Sequence, residues 1–255
     1  MLEIALSPCP NDTYLFHAWI EGLVGKEMPL SPTFADIQQL NIWGEAKKFP
    51  LIKVSISCFA KMQKEYELLP VGCALGWNCG PKLVAREKMS LDQLSHLRVA
   101  IPGQETTAHH LLNLLCPKPQ EKLFCLYHEI EELLREGVVD AGVIIHETRF
   151  THGFHEIADL GELWMERYDL PLPLGGIAVL KTQPIDLITK IVRDSLAYAR
   201  SHPEAGEAFI LKHAQDKNRD VVQRHIDLYV NEETENLSER GREAIALLLS
   251  SCVKI

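Results

Sequence analysis

No Cys-x-x-Cys pair occurs in this chain of 255 residues, although it carries seven cysteines. They stand singly at Cys9, Cys58, Cys73, Cys79, Cys116, Cys125 and Cys252, an odd and scattered set that excludes a disulfide framework and suits reduced thiols. Cys73 and Cys79 lie closest, but no second pair or nearby histidine completes four zinc ligands, so no metal is expected. A clustered basic surface is also missing. With a formal charge of −9 and no lysine or arginine run, the chain has nothing to neutralise a phosphate backbone, which excludes nucleic acid as partner. Apolar runs stay well short of the roughly 18 residues a membrane span needs, and no basic, apolar and small-residue leader precedes the first strand. The expectation is a cytoplasmic protein without membrane insertion. Gly-x-Gly-x-x-Gly, Gly-Lys-[Ser/Thr], Gly-x-Ser-x-Gly and His-Glu-x-x-His are all absent, leaving no signal for a dinucleotide, a nucleoside triphosphate, a nucleophile elbow or a zinc helix. Two possibilities survive: an enzyme doing acid/base chemistry without cofactors, or a two-lobed binding protein.

What is present is an alternation of strands and helices in a chain 46% hydrophobic, enough for a large core. Strand patterns at 2–6, 32–35 and 51–57 are each followed by a helical one, at 12–22, 37–47 and 58–64, which predicts a mostly parallel sheet covered by helices. After a Gly- and Asn-rich turn at 76–81 and the short apolar run 82–86, a second alternation begins at 97–101 and ends with the apolar run 141–145. The segment Leu170 to Leu180, with Pro171, Pro173, Gly175 and Gly176, reads as a rigid strap and return strand. The expectation is a two-lobed α/β fold: a discontinuous first lobe of 1–86 and 175–255, and an inserted second lobe of 87–174. From Ile185 onward the pattern is helical, and its charged faces read as solvated surface without function.

Three strand-to-helix junctions concentrate small polar side chains: Ser7 to Thr13, Ser55-Ile56-Ser57, and Gln104 to Ala108. Asn11, Asp12 and Thr13 suit the capping of a first helical turn. Free amides at a helix start, with Ser and Thr hydroxyls beside them, suit a carboxylate or phosphate, so facing junctions from two lobes would clamp a small anion. Lys53 interrupts an apolar strand. It either meets a partner or an anion in the interior, or lies on an edge strand facing water. His146 follows the apolar run 141–145 and so sits at the carboxyl end of a buried strand, where α/β sheets hold their ligands. An imidazole there can take a proton at neutral pH. Glu147 would point to the opposite side if the strand continued. His109, His110, His152 and His155 read as surface or interface histidines, and Cys9, between two prolines, as a packing residue.

Taken together, Ser-Pro-Cys-Pro-Asn-Asp-Thr at 7–13, Lys53-Val54-Ser55, Pro102-Gly103 with Thr106-Thr107-Ala108, Ile144-Ile145-His146-Glu147 with Arg149-Phe150-Thr151, and Leu170 to Gly175 resemble the 1,4-dihydroxy-6-naphthoate synthases of the futalosine-type menaquinone pathway. The resemblance spans essentially the whole chain. It implies a periplasmic-binding-protein-like (type II) fold with the site in the cleft, a lyase reaction on cyclic dehypoxanthinylfutalosine without cofactor, and a small anionic substrate as partner of a monomer or homodimer. It further implies His146 as proton acceptor, and Lys53, Val54, Ser55, Thr107 and Ala108 as substrate contacts. Asp12 and Asn41 join them on our own reading of the junctions. Tyr14 and His109-His110 depart from the family pattern and bear on the pocket's shape. A chorismate dehydratase of the same pathway and a non-catalytic small-anion binding protein are the alternatives.

Overall fold

The computed structural model describes residues 1–252. In chain order the elements are β1 (Leu2–Leu6), α1 (Pro10–Ile20), β2 (Leu30–Phe34), α2 (Ile37–Glu45), β3 (Leu51–Ser55), α3 (Ile56–Met62), β4 (Tyr66–Leu68), β5 (Ala74–Gly76), β6 (Lys82–Ala85), β7 (Arg98–Ile101), α4 (Thr107–Leu115) and β8 (Glu121–Phe124). They continue with α5 (Ile130–Glu136), β9 (Ala141–Ile144), β10 (His155–Asp159), α6 (Leu160–Tyr168), β11 (Leu172–Leu180), α7 (Ile185–Ser201), α8 (Glu207–His213), α9 (Arg219–Tyr229), α10 (Glu232–Glu235) and α11 (Glu239–Cys252).

The strands form two mixed sheets. In the first, β2-β1-β3-β11-β4, the pairs β1–β2 and β1–β3 are parallel, and β11 returns antiparallel to β3 while also pairing β4 and β5. The second, β10-β6-β9-β7-β8, has parallel pairs β7–β8 and β7–β9 and an antiparallel flank. Each sheet thus keeps three neighbouring parallel strands on one side, the part the βα alternation predicts. The expected break at Arg86 falls too late, because β6 pairs β9 and β10 and so belongs to the second sheet. The return is likewise earlier than Gly175: β11 is in the first sheet from Leu172.

Strand chemistry follows depth. All five residues of β3 and all four of β9 are buried, as expected of strands covered on both faces. Gly142 in β9 is required by close packing, since a Cβ there would stand 2.5 Å from Ile130 Cγ2 of α5. One core cluster joins the sheets. Leu75 and Leu172 of the first share it with Leu83, Val99 and Val143 of the second and with Ile245 and Leu248 of α11. Burying each such side chain contributes about 1.5–3 kcal/mol, so the two halves are held by more than their crossovers.

The start of α1 differs from the capping expected. The helix begins at Pro10, with Cys9 as its N-cap and no side-chain cap bond. The Asp12 and Thr13 amides reach back to Cys9 O, and Thr13 Oγ1 does the same at 3.1 Å. Prolines suit this first position because the missing N–H would have no helical acceptor. Asn11 and Asp12 are therefore freed from capping and turn toward the site.

Candidate functional site

Both sheets point strand ends and following helix starts at one cleft, with about 680 Å³ of space not filled by atoms. Ser7, Cys9, Asn11, Asp12, Lys53 and Ser55 line it from the first sheet. Thr106, Thr107, Ala108, Ile145 and His146 face them from the second, Leu174 and Gly175 cross between, and His225 and Tyr229 of α9 close one side.

β3 lies between β1 and β11, so Lys53 is not on an edge. Its ammonium donates to Asp12 Oδ1 at 2.6 Å, both side chains nearly sealed. Burial raises the Asp12 carboxyl above its ordinary value, against the pull of Lys53. Because strand side chains alternate, Lys53 and Ser55 reach the cleft while Val54 points into the core with Leu40, Ile52 and Phe59. Val54 accordingly does not line the cavity.

Asn41 does not line it either. Its side chain accepts from Ser55 N at 2.9 Å and donates to Ser55 Oγ and Glu105 O, each at 3.0 Å. It is a tie behind the cleft. The Ser55 hydroxyl, accepting from Asn41, keeps its own proton to donate. Thr107 is spent differently: Oγ1 donates to Leu174 O at 2.8 Å and accepts from Ser57 N at 3.3 Å, fastening the two sides. Thr106 caps α4, accepting from His109 N at 3.2 Å, so the Thr107 and Ala108 amides, which have no helical acceptor, stand at a helix start that lines the cavity.

His146 stands where β9 has ended and the chain turns into a short 3-10 helix, His146–Phe150. Its φ of 59° is left-handed, a conformation that costs a non-glycine residue about 1–2 kcal/mol and that clusters at functional sites. Nδ1 lies 3.0 Å from Cys9 Sγ, and the Tyr127 ring meets the imidazole edge-on at 4.6 Å between centroids. Among the described residues Nε2 has no hydrogen-bond partner, and it is not sealed off. Burial, with Lys53 adding repulsion, pushes His146 down to about 4, so the ring is neutral, in its proton-accepting form, at neutral pH.

Three features here were not expected from the sequence. Cys9 touches His146 rather than merely packing; burial and then Glu147 raise its thiol well above the ordinary range. The left-handed turn at His146 swings Glu147 back, so donor atoms of Cys9, His146 and Glu147 all lie within 4.8 Å of one another. The carboxyl of Glu147 is buried, its Oε2 unpartnered, and burial raises its pKa. Finally, α9 is no bystander. His225 Nε2 pairs with Asn11 Oδ1 at 3.0 Å, its Nδ1 buried without a partner, and Tyr229 OH accepts from Arg149 at 3.2 Å. Arg149 in turn holds Asp159 at 2.9 Å.

Among the described residues, Cys9, His146 and Glu147 form the one group with donors close enough to suggest a metal ion. The Cys9–His146 spacing is that of a hydrogen bond. Thiolate and imidazole ligands on tetrahedral zinc, with bonds of about 2.3 and 2.0 Å, stand roughly 3.5 Å apart, whereas these atoms are at 3.0 Å. His109, His110, His152 and His155 form no such group. No helix among the described residues is long and apolar enough to cross a membrane.

Comparison with known proteins agrees with this architecture. The chain is 40% identical to a 1,4-dihydroxy-6-naphtoate synthase of Thermus thermophilus over 257 residues, covering 98% of this chain and 93% of that one. It is 39% identical to the enzyme of the same name from Streptomyces coelicolor over 260 residues, covering 98% and 92%. Among solved structures, a protein from Archaeoglobus fulgidus superposes with a TM-score of 0.93 at 27% identity, covering 99% of this chain and 97% of that one. The periplasmic aliphatic sulphonate binding protein of Escherichia coli, at 14% identity, gives 0.68 over 99% and 85%, which shows a periplasmic-binding-protein-like fold. The family described as menaquinone biosynthesis matches residues 2–254, and the chain belongs to it.

Proposed function

We propose that this protein is a cytoplasmic lyase that converts cyclic dehypoxanthinylfutalosine to 1,4-dihydroxy-6-naphthoate with release of a sugar-derived fragment. The observation that carries the reading is the neutral imidazole of His146, its Nε2 free, at a cleft rim faced by Lys53, Ser55 and the start of α4. The full-length similarity to the two named synthases supports it.

The chemistry is an elimination ending in an aromatic ring, so resonance in the product supplies driving force. The protein's task is to place a base, hold the anionic substrate and exclude water. His146 Nε2 takes the proton, a step worth about 10²–10⁴ in rate for a positioned base. The Thr107 and Ala108 amides at the α4 start and the Ser55 hydroxyl hold polar ends of the substrate, and the Lys53–Asp12 pair fixes the floor. The two sheets act as lobes that close over it, with Thr107 latching to Leu174 and Ser57.

The test is incubation of purified protein with cyclic dehypoxanthinylfutalosine, without added cofactor and with excess chelator, following naphthoate by chromatography. Product from wild type and not from H146N is the expected result. Binding without product from the wild-type protein would overturn the reading in favour of a binding protein.

A further inference from the structure

Buried carboxylates are paired or hydrogen-bonded as a rule, and Glu147 breaks it. Among the described residues its Oε1 receives one long contact, 3.4 Å from Gln215 N, and its Oε2 has no side-chain hydrogen bond. Glu147 nevertheless sits beside the Cys9–His146 contact, all donor atoms within 4.8 Å. We propose that Glu147, acting through the Cys9 thiol, receives the proton that His146 takes from the substrate, making Cys9 and Glu147 positioning residues for the reaction.

The hydrogen-bond directions support this order. Ser7 Oγ accepts from the Cys9 amide at 3.2 Å and donates its proton to Cys9 Sγ at 2.8 Å. For Nε2 to act as base, Nδ1 must carry the ring proton, which then points at the same sulfur 3.0 Å away. Sulfur accepting from both sides leaves its own S–H for a third partner, and Glu147, with a carboxylate oxygen within 4.8 Å, is the acceptor that this cluster offers. The remaining gap is one that a small rotamer change or a single bridging water spans.

The steps balance without any co-reactant. The substrate proton bonds to His146 Nε2 as the Nδ1–H bond breaks toward Cys9 Sγ, and the original S–H proton passes to the Glu147 carboxylate. His146 ends as its other neutral tautomer, Cys9 as a thiol and Glu147 as a carboxylic acid. No imidazolium has to persist. That suits a ring lowered by burial and Lys53, beside a carboxyl raised by burial, so the proton rests on the group that holds it better.

The inference rests on the proposed lyase reading, and the experiment separates the two. Single-turnover naphthoate formation is measured for wild type, H146N, E147Q, E147D, C9A and C9S, with substrate affinity and melting temperature alongside. Expected is a fall in the turnover rate on the order of 10²-fold for E147Q and C9A with substrate affinity within about threefold, and partial recovery in E147D and C9S. In wild type, the rate should bend downward as the D₂O fraction rises, because more than one proton moves. Rates within about twofold of wild type for E147Q and C9A, or a linear D₂O dependence with H146N inactive, would overturn the relay and leave the lyase intact. Absence of product from wild type would overturn both. Should a variant fail to fold, the D₂O dependence of the wild-type protein decides alone.

Discussion

The two rims of the cleft are built to opposite standards of hydrogen bonding. On the first-sheet side, among the described residues, Ser7, Asp12, Asn41, Lys53 and Ser55 leave no buried polar side-chain atom unpartnered; the orphans of this half, His17 Nε2 and Asp36 Oδ2, lie outside the cleft lining. Across from it, in the turn after His146, Glu147 and Arg149 each leave one, and His225 of α9, which packs against α1 beside that turn, leaves another. A saturated network is rigid and specifies one geometry, whereas unsaturated buried groups are expensive and persist where they meet a ligand or a moving proton. The first rim is thus a frame, and the second carries the reacting groups.

The frame can be broken most severely at its ion pair. K53M leaves the Asp12 carboxyl buried without its cation, and stability should fall by about 3–5 kcal/mol in denaturant titration. The double variant K53M/D12N should recover much of that loss. Equal instability of single and double variants would show that Lys53 packs rather than pairs.

The reacting rim is sharpened by pH. His146 is depressed, so its basic form survives down to about 4, and loss of kcat/KM on acidification is not set by a histidine of ordinary pKa. Burial raises Glu147, against its own and the Gln215 backbone amides, which favour the charged form, with smaller effects from Asp216 pushing it up and Lys217 pulling it down. Its protonation in the free enzyme therefore blocks the relay at a higher pH than protonation of His146. In E147Q the acid limb of the surviving activity should move down toward about 4. An unmoved limb would detach Glu147 from the reaction.

The seam between the rims should respond least. T107V removes the hydrogen bonds to Leu174 and Ser57 and should cost about 1 kcal/mol, read as a several-fold rise in KM with kcat nearly kept. A matching fall in kcat would make Thr107 part of the chemistry.

Much of the frame was legible in the sequence because strand ends obey local rules. The buried run ending at Ile144 put His146 at a carboxyl-terminal rim, and a lysine inside β3 demanded a partner, which proved to be Asp12. The rest depends on information that short patterns do not hold. Glu147 faces away from the site only if the strand continues; it ends at Ile144, and a left-handed turn at a histidine has no composition signal. His225 and Tyr229 lie on a helix whose apolar face explains its pattern fully; their reach into the cleft is a tertiary contact with Asn11, 214 residues away. Val54 and Asn41 share motifs with true lining residues, but strand alternation and the tie to Glu105 turn them from the cavity.

The most direct measurement of the division between frame and reacting rim is the single-turnover rate of naphthoate formation by H146N, at a ligand concentration shown by calorimetry to saturate it. Retained affinity with a rate reduced on the order of 10²–10⁴-fold is the predicted result. A saturated H146N protein turning over near the wild-type rate would contradict the account, because the base would then lie elsewhere.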